Sequence, residues 1–441
     1  MKLTLLLPLA FILNTRAGDW PNWRGPKFDG SSEEKGLPVK IALADALWKA
    51  PMPGPAASTP VVSGDRVFIS TTDAAEKKLL GLCLDRKTGK ELWRKEIGEG
   101  LNSDDKSNYA NPSPITNGKL VFFHFATGDT AAFDFDGKER WRRNLQKDYG
   151  SWAIQWTPAS SPVLAGKHLI FQVLLRDTAF EFYGKKKGTP GTSIESYILA
   201  IDPESGEENW KHIRPCDAVA ESRESFSTPM PWSFDGRDEL LVTGGDCISG
   251  HSLADGKELW RFGSWNPEKI GHWRLVPGPV AGAGIILACA PKRQPVYAVK
   301  AGATGTLDGS GLAWTTGKDT KNEDVSSDVS TPLFYQNRFY VLNSDRKSVS
   351  CVHPKTGEVV WEHRVEGGAK IESSPTAGDG KIYFQDMRAR VTILAAEDQA
   401  KVIFSGDMAD GEEKDVRSSI ALASGCAFVR TTRMLYCIGA K

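Results

Sequence analysis

Asp85-Arg86-Lys87-Thr88-Gly89-Lys90-Glu91-Leu92-Trp93 recurs along the chain. Asp202-Pro-Glu-Ser-Gly-Glu-Glu-Asn-Trp210 and His353-Pro-Lys-Thr-Gly-Glu-Val-Val-Trp361 keep its length and its closing Trp. Ser252-Leu-Ala-Asp-Gly-Lys-Glu-Leu-Trp260 and the shorter Asp134-Phe-Asp-Gly-Lys-Glu-Arg-Trp141 are looser copies. Each reads as a strand, a tight turn whose Gly takes positive φ, then a strand ending in a large aromatic. A second signature precedes each copy: Ser/Thr-Pro, then an apolar strand that breaks at Gly, as in Ser58-Thr59-Pro60-Val61-Val62-Ser63-Gly64. A repeat of roughly 45–50 residues with four short strands marks a β-propeller blade.

The count of repeats follows from two independent markers. Strand starts fall at Pro60, Pro114, Pro162, Pro229, Pro279, Pro332 and Pro375, with Ile420 in the eighth equivalent place. Closing aromatics fall at Trp48, Trp93, Trp141, Trp210, Trp260, Trp314, Trp361 and Phe404, of which the seven Trp are expected to dock neighbouring blades. The last unit has no closing Trp of its own, and Trp48 supplies one from the other end of the chain. Pairing that early strand with the last blade removes both open edges. The expected fold is all-β: a single eight-bladed propeller of four antiparallel strands per blade, spanning residues 45–441 and closed by its N-terminal strand.

Composition narrows the function classes. Among 441 residues Lys+Arg and Asp+Glu both total 55, so nothing points to nucleic acid or an anionic membrane as partner. Residues 1–17 read as a signal peptide, with Lys2, the apolar run Leu3 to Leu13 and the cleavage site Thr15-Arg16-Ala17. That run is too short to span a bilayer, so the expectation is an exported monomer, periplasmic or extracellular, without an anchor. Residues 18–44 form an aromatic, turn-rich arm, read as a strap on the outside of the fold. Cys83, Cys351 and Cys437 occupy equivalent strand positions and read as small core side chains. Cys426 and Cys437 flank a turn at Thr431-Thr432 where an oxidising compartment would permit a disulfide.

Extra length lies in Leu174 to Ser196, read by composition as a long solvated loop of the third blade, with a lid as the functional alternative. In a propeller the loops leading into the innermost strands converge on the axis. The residues just before each Ser/Thr-Pro therefore form the candidate axial pocket: Tyr109, Asn111, Gln155, Trp156, Arg223, Glu224, His272, Trp273, Arg274, Asp328, Lys370, Glu372, Asp415 and Arg417. Such a ring suits a polar ligand, a cation or a peptide. The seven His show no zinc-ligand spacing, and there is no calcium loop, phosphate loop or nucleophile elbow.

The combined signature resembles the pyrroloquinoline-quinone repeat family, in which the Asp-x-x-Thr-Gly-Lys-x-x-Trp segment, as at 85–93, docks neighbouring blades. The resemblance covers about residues 45–441. The arm Trp20–Gly30 is similar to the start of exported quinone-binding-like propellers from planctomycete-like bacteria. The resemblance implies two branches: dehydrogenases of alcohols and sugars that hold quinone and calcium over the channel, and a non-enzymatic outer-membrane assembly factor. This chain lacks the adjacent Cys-Cys pair of the first branch and the lipid-attachment Cys of the second, and no cofactor ligand is carried over. Two readings stand. One is a non-catalytic binding or scaffold propeller that engages an envelope protein or polysaccharide through its loop-rich face. The other is a quinone-dependent oxidoreductase, in which Trp156 or Trp273 would stack a quinone. Arg223 or Arg274 would then hold its carboxylates, and Glu224, Asp328 or Glu372 would serve as base or calcium ligand.

Overall fold

The computed structural model describes residues 18–439 except 102, 103, 105, 264, 318, 319, 321, 323 and 409–412. The signal-peptide expectation lies outside the described residues. Eight four-stranded antiparallel sheets form a closed ring, an eight-bladed β-propeller. In blade 1 the order from axis to rim is Val61–Ser63, Arg66–Asp73, Lys78–Asp85 and Glu91–Glu99. Six further blades repeat it within residues 115–144, 163–213, 230–263, 280–315, 333–364 and 376–407. Blade 8 joins Ala421–Ala423, Cys426–Arg430 and Met434–Gly439 to the early strand Ala46–Pro51. Trp48 sits opposite Cys437 in that last pair, so strands from the two ends of the chain share one sheet and neither is left as an open edge.

The motif now has a mechanism. Asp85 Oδ1 accepts from Lys87 N–H, Thr88 N–H and Thr88 Oγ1, which folds the turn. That turn presents the Arg86 carbonyl to the previous blade, where Trp48 Nε1 donates to it at 2.8 Å. A Cβ on Gly89 would lie 2.4 Å from the Trp48 ring, so only glycine lets the indole lie on the turn. Trp93 donates likewise to Phe135 O, Trp141 to Pro203 O, Trp210 to Leu253 O, Trp314 to Pro354 O and Trp361 to Glu397 O. Six closing strands are thus bound to the blade after them by one directed bond from the indole, a net gain of about 1 kcal/mol for the bond alone.

Trp260 is placed differently. Its Nε1 donates to Glu239 Oε2 within its own blade at 2.6 Å, beneath a Gly250 whose Cβ would be 2.1 Å from the indole nitrogen. Blade 5 has no Asp-x-x-Thr-Gly turn to receive it. Instead Gly305–Leu307 adds a parallel fifth strand to blade 4, with Gly305 opposite Trp260. Phe404, lacking an N–H, packs among the apolar side chains of blades 7 and 8.

Two further expectations are corrected. The arm is not an outside strap. Trp20, Asn22, Arg24, Phe28, Asp29, Ser31 and Ser32 are all buried. Trp20 exchanges backbone bonds with Val62, Thr116 N–H donates to Pro21 O, and Phe334 N–H donates to Asp29 O. Ala377 N–H donates to Gly30 O. These partners belong to inner strands of blades 1, 2, 6 and 7, so the arm crosses the axis and plugs one mouth of the channel. Arg24 pins it, donating to Pro375 O at 2.9 Å and Pro332 O at 2.6 Å. The insertion, in turn, is not merely loop: Phe180–Phe182 and Lys185–Lys187 form a hairpin.

Candidate functional site at the axial cup

The Ser/Thr before each inner-strand Pro has a structural purpose that its position as a strand start does not reveal. A residue before Pro is held extended, and here that geometry turns each backbone N–H toward the neighbouring blade. Thr59 N–H donates to Ser113 Oγ, Ser113 to Ser161 Oγ, and Ser161 to Thr228 Oγ1, each at 2.9 Å. Gly278 N–H donates to Thr331 Oγ1, Thr331 to Ser374 Oγ, Ser374 to Ser419 Oγ, and Ser419 back to Thr59 Oγ1, at 2.8 to 3.1 Å. The girdle breaks once, between Thr228 and Gly278, because glycine offers no hydroxyl. All seven hydroxyl residues line a cavity of about 220 Å³ on the axis.

The arm makes this cavity a cup, since Trp23 from the plug lines it. Above the girdle the wall carries Lys106, Asn111, Trp156, Phe226, Arg274, Asp328, Lys370, Glu372 and Arg417. On one side Trp156 Nε1 donates to Glu221 Oε1 at 2.9 Å, and Lys106 Nζ and Arg274 Cζ each stand 5.9 Å from its ring centroid. The inserted hairpin rests against this side, its Phe182 ring edge-on to Trp156 at 5.0 Å and Tyr183 exposed at the tip. On the other side Glu372 is bridged by Arg417 at 2.7 Å and Lys370 at 3.3 Å, and Lys370 also reaches Asp345 at 3.4 Å. Asp328 Oδ1 accepts from Lys292 N–H.

Seven of the fourteen candidates meet at the cup: Asn111, Trp156, Arg274, Asp328, Lys370, Glu372 and Arg417. The other seven do not line it. Tyr109 packs in the core of blades 1 and 2. Gln155 and Glu224 lie behind the wall: Glu224 is fully buried, accepts from Gln155 N–H at 3.1 Å and is bridged by Arg176, which also holds the Gln155 side chain. Burial pushes the Glu224 carboxyl up to about 7 against the opposing pull of Arg176. Arg223 turns away to the carbonyls of Cys216 and Ala218 and to Asp177. His272 is exposed, Trp273 donates its backbone N–H to Ser222 Oγ, and Asp415 is exposed beside Arg417. Sequence reasoning missed Trp23, Lys106, Phe226 and the girdle. The recurring hydroxyl was visible as part of the strand-start signature.

The seven cysteines are free. Cys426 lies opposite Gly439 and Cys437 opposite Phe428, so the two are offset by one diagonal rather than paired across the hairpin.

The match to known proteins follows the repeats. The model of the family described as outer membrane protein assembly factor BamB matches residues 40–179 and 247–433. The chain belongs to that family, one of pyrroloquinoline-quinone-like repeat propellers. Among solved structures it is similar to BamB from Moraxella catarrhalis, at 13% identity and TM-score 0.57, covering 88% of this chain and 95% of that one. It is also similar to a europium-containing methanol dehydrogenase, at 12% identity and TM-score 0.64, covering 90% and 87%. The quinohemoprotein alcohol dehydrogenase from Comamonas testosteroni matches at 13% and 0.60, covering 97% and 82%. These likenesses establish the fold. No curated protein sequence matches. Among the described residues no helix is long and apolar enough to cross a membrane.

The donor set tests the calcium and quinone that the resemblance implies. Calcium takes about six to eight oxygen ligands. Of the two carboxylates of the cup, Glu372 is held by Arg417 and Lys370, which leaves Asp328, with one backbone N–H on Oδ1, as a single carboxylate for such an ion. Among the described residues no group of three or more His, Cys, Asp or Glu is placed to hold a metal. The residues present do not fit a calcium-bound quinone.

Proposed function

We propose that this chain is an exported, non-catalytic binding propeller that holds an envelope protein or polysaccharide against the loop-rich face around the axial cup. The observation that carries the reading is the state of its carboxylates. General-base work needs a carboxylate within reach of the reacting atom and free to take a proton. At the cup Glu372 is held between two cations, Asp328 Oδ1 accepts from the Lys292 N–H, and Glu224 lies fully buried behind the wall. The membership in a family described by an assembly factor supports the same reading. The dehydrogenase reading draws support only from fold likeness.

The test is a comparison on one preparation. The mature chain immobilised against an envelope extract is expected to retain a partner, and a panel of alcohols and aldoses with quinone, calcium and a dye acceptor is expected to give no turnover above the protein-free rate. Turnover that scales with enzyme and requires the quinone would overturn the proposal.

A further inference from the structure

We infer that the cup takes an acidic oligosaccharide, a pyranose chain bearing carboxylate or sulfate groups. The assignment rests on the binding reading above and specifies its ligand. Its ground is the ring of seven hydroxyls around the cup, each of which keeps a donor proton beside one further lone pair. Each girdle hydroxyl already accepts one backbone N–H and keeps its own proton. An accepted bond of that kind polarises the O–H and strengthens it as a donor. Asn111, 7% exposed and lining the cup, has a side-chain Nδ2 with no partner, as has the Trp23 indole N–H at the floor. Buried donors without acceptors are costly, and a ligand rich in acceptors removes that cost.

Charge points the same way. Four cations line the cup: Arg274 stands 3.7 Å from Glu221, Lys370 and Arg417 share Glu372, and Lys106 is the fourth. Lys106 has no carboxylate partner among the described residues. Trp156 on the wall and Trp23 at the floor add aromatic surface to the lining, against which the C–H groups of a sugar ring can pack. A peptide added as an extra strand is disfavoured. The inner-strand N–H groups at the girdle are spent on hydroxyls, leaving no strand edge to extend.

Calorimetric titration of the mature chain in low salt tests this with four probes: hexagalacturonate, a sulfated hexasaccharide, cellohexaose and hexaglutamate. The expected result is binding of one or both acidic sugars at least tenfold tighter than cellohexaose or hexaglutamate, weakening steadily with added sodium chloride. Lys106→Ala should weaken it about tenfold, while Lys355→Ala on the exposed blade 6 turn leaves it unchanged; circular dichroism confirms that both fold. Equal affinity for cellohexaose, or tighter binding of hexaglutamate, overturns the assignment while leaving a binding propeller. No saccharide bound by a preparation that still retains an envelope partner overturns the assignment alone; failure of both removes the binding reading as well.

Discussion

Opposite each closing tryptophan sits a small residue: Cys437 faces Trp48, Cys83 faces Trp93, Ala132 faces Trp141, Ala200 faces Trp210, Gly250 faces Trp260, Ala298 faces Trp314 and Cys351 faces Trp361. Where the aromatic shrinks to Phe404, its partner grows to Ile393. The pairs conserve volume across the sheet, which explains why cysteines recur at equivalent positions as core fillers. Gly250 is the extreme case, because Trp260 folds down onto its own blade. Gly250→Ala should therefore cost about 1–3 kcal/mol by overpacking, read as a lower midpoint in urea. Two buried titratable groups carry opposite pH signatures. Burial raises Glu224 to about 7, so its folded form holds a proton more tightly than the unfolded chain does. Its contribution to stability is complete below the ordinary Glu range and is lost as pH climbs through about 7. His124, lowered to about 3 by burial, contributes fully above the ordinary histidine range and loses that contribution as pH falls toward about 3. Glu224→Gln should flatten the stability profile between about pH 4.5 and 7 and His124→Gln should flatten it below about pH 6.5, both measured as urea midpoints against pH.

At the scale of elements, the turn and the arm decide the cup. The turn at Asp85–Lys90 was legible because three of its residues each do one thing that their side chains announce. Asp85 caps, Thr88 closes and Gly89 makes room. Gly89→Ala meets both a φ of +70° and a Cβ 2.4 Å from Trp48, so a loss of at least about 1–3 kcal/mol is expected, with a lower melting temperature. The arm was not legible. Aromatic, turn-rich sequence suits an outer strap as well as an axial plug, and only the inner-strand carbonyls that Arg24 meets separate the two. Arg24→Ala leaves Pro332 O and Pro375 O without that donor and should destabilise the chain by about 2–5 kcal/mol. Where the variant still folds, ligand affinity should fall too, since Trp23 would lose its seat at the floor.

Across the whole molecule, the spacing of strand starts and closing aromatics made the number of blades readable, because every blade must bury the same two faces against its neighbours. The cup was half readable for a related reason. Repeats place loops around an axis, but which side chain of a loop turns inward depends on contacts outside the repeat: Arg176 draws Glu224 and Gln155 behind the wall, and Asp177 helps draw Arg223 away. Everything at the axis depends on the ring being shut by the strand Ala46–Pro51. Pro51 lies opposite Met434 in that strand pair. The most direct test is to install Pro51→Cys with Met434→Cys, oxidise the monomer and measure its melting temperature against the reduced form. A closed ring predicts an intramolecular disulfide in high yield and a gain of up to about 6 kcal/mol from a loop of this length. Failure to form the bond within one chain, or crosslinking only between chains, would contradict the closure and the cup built on it.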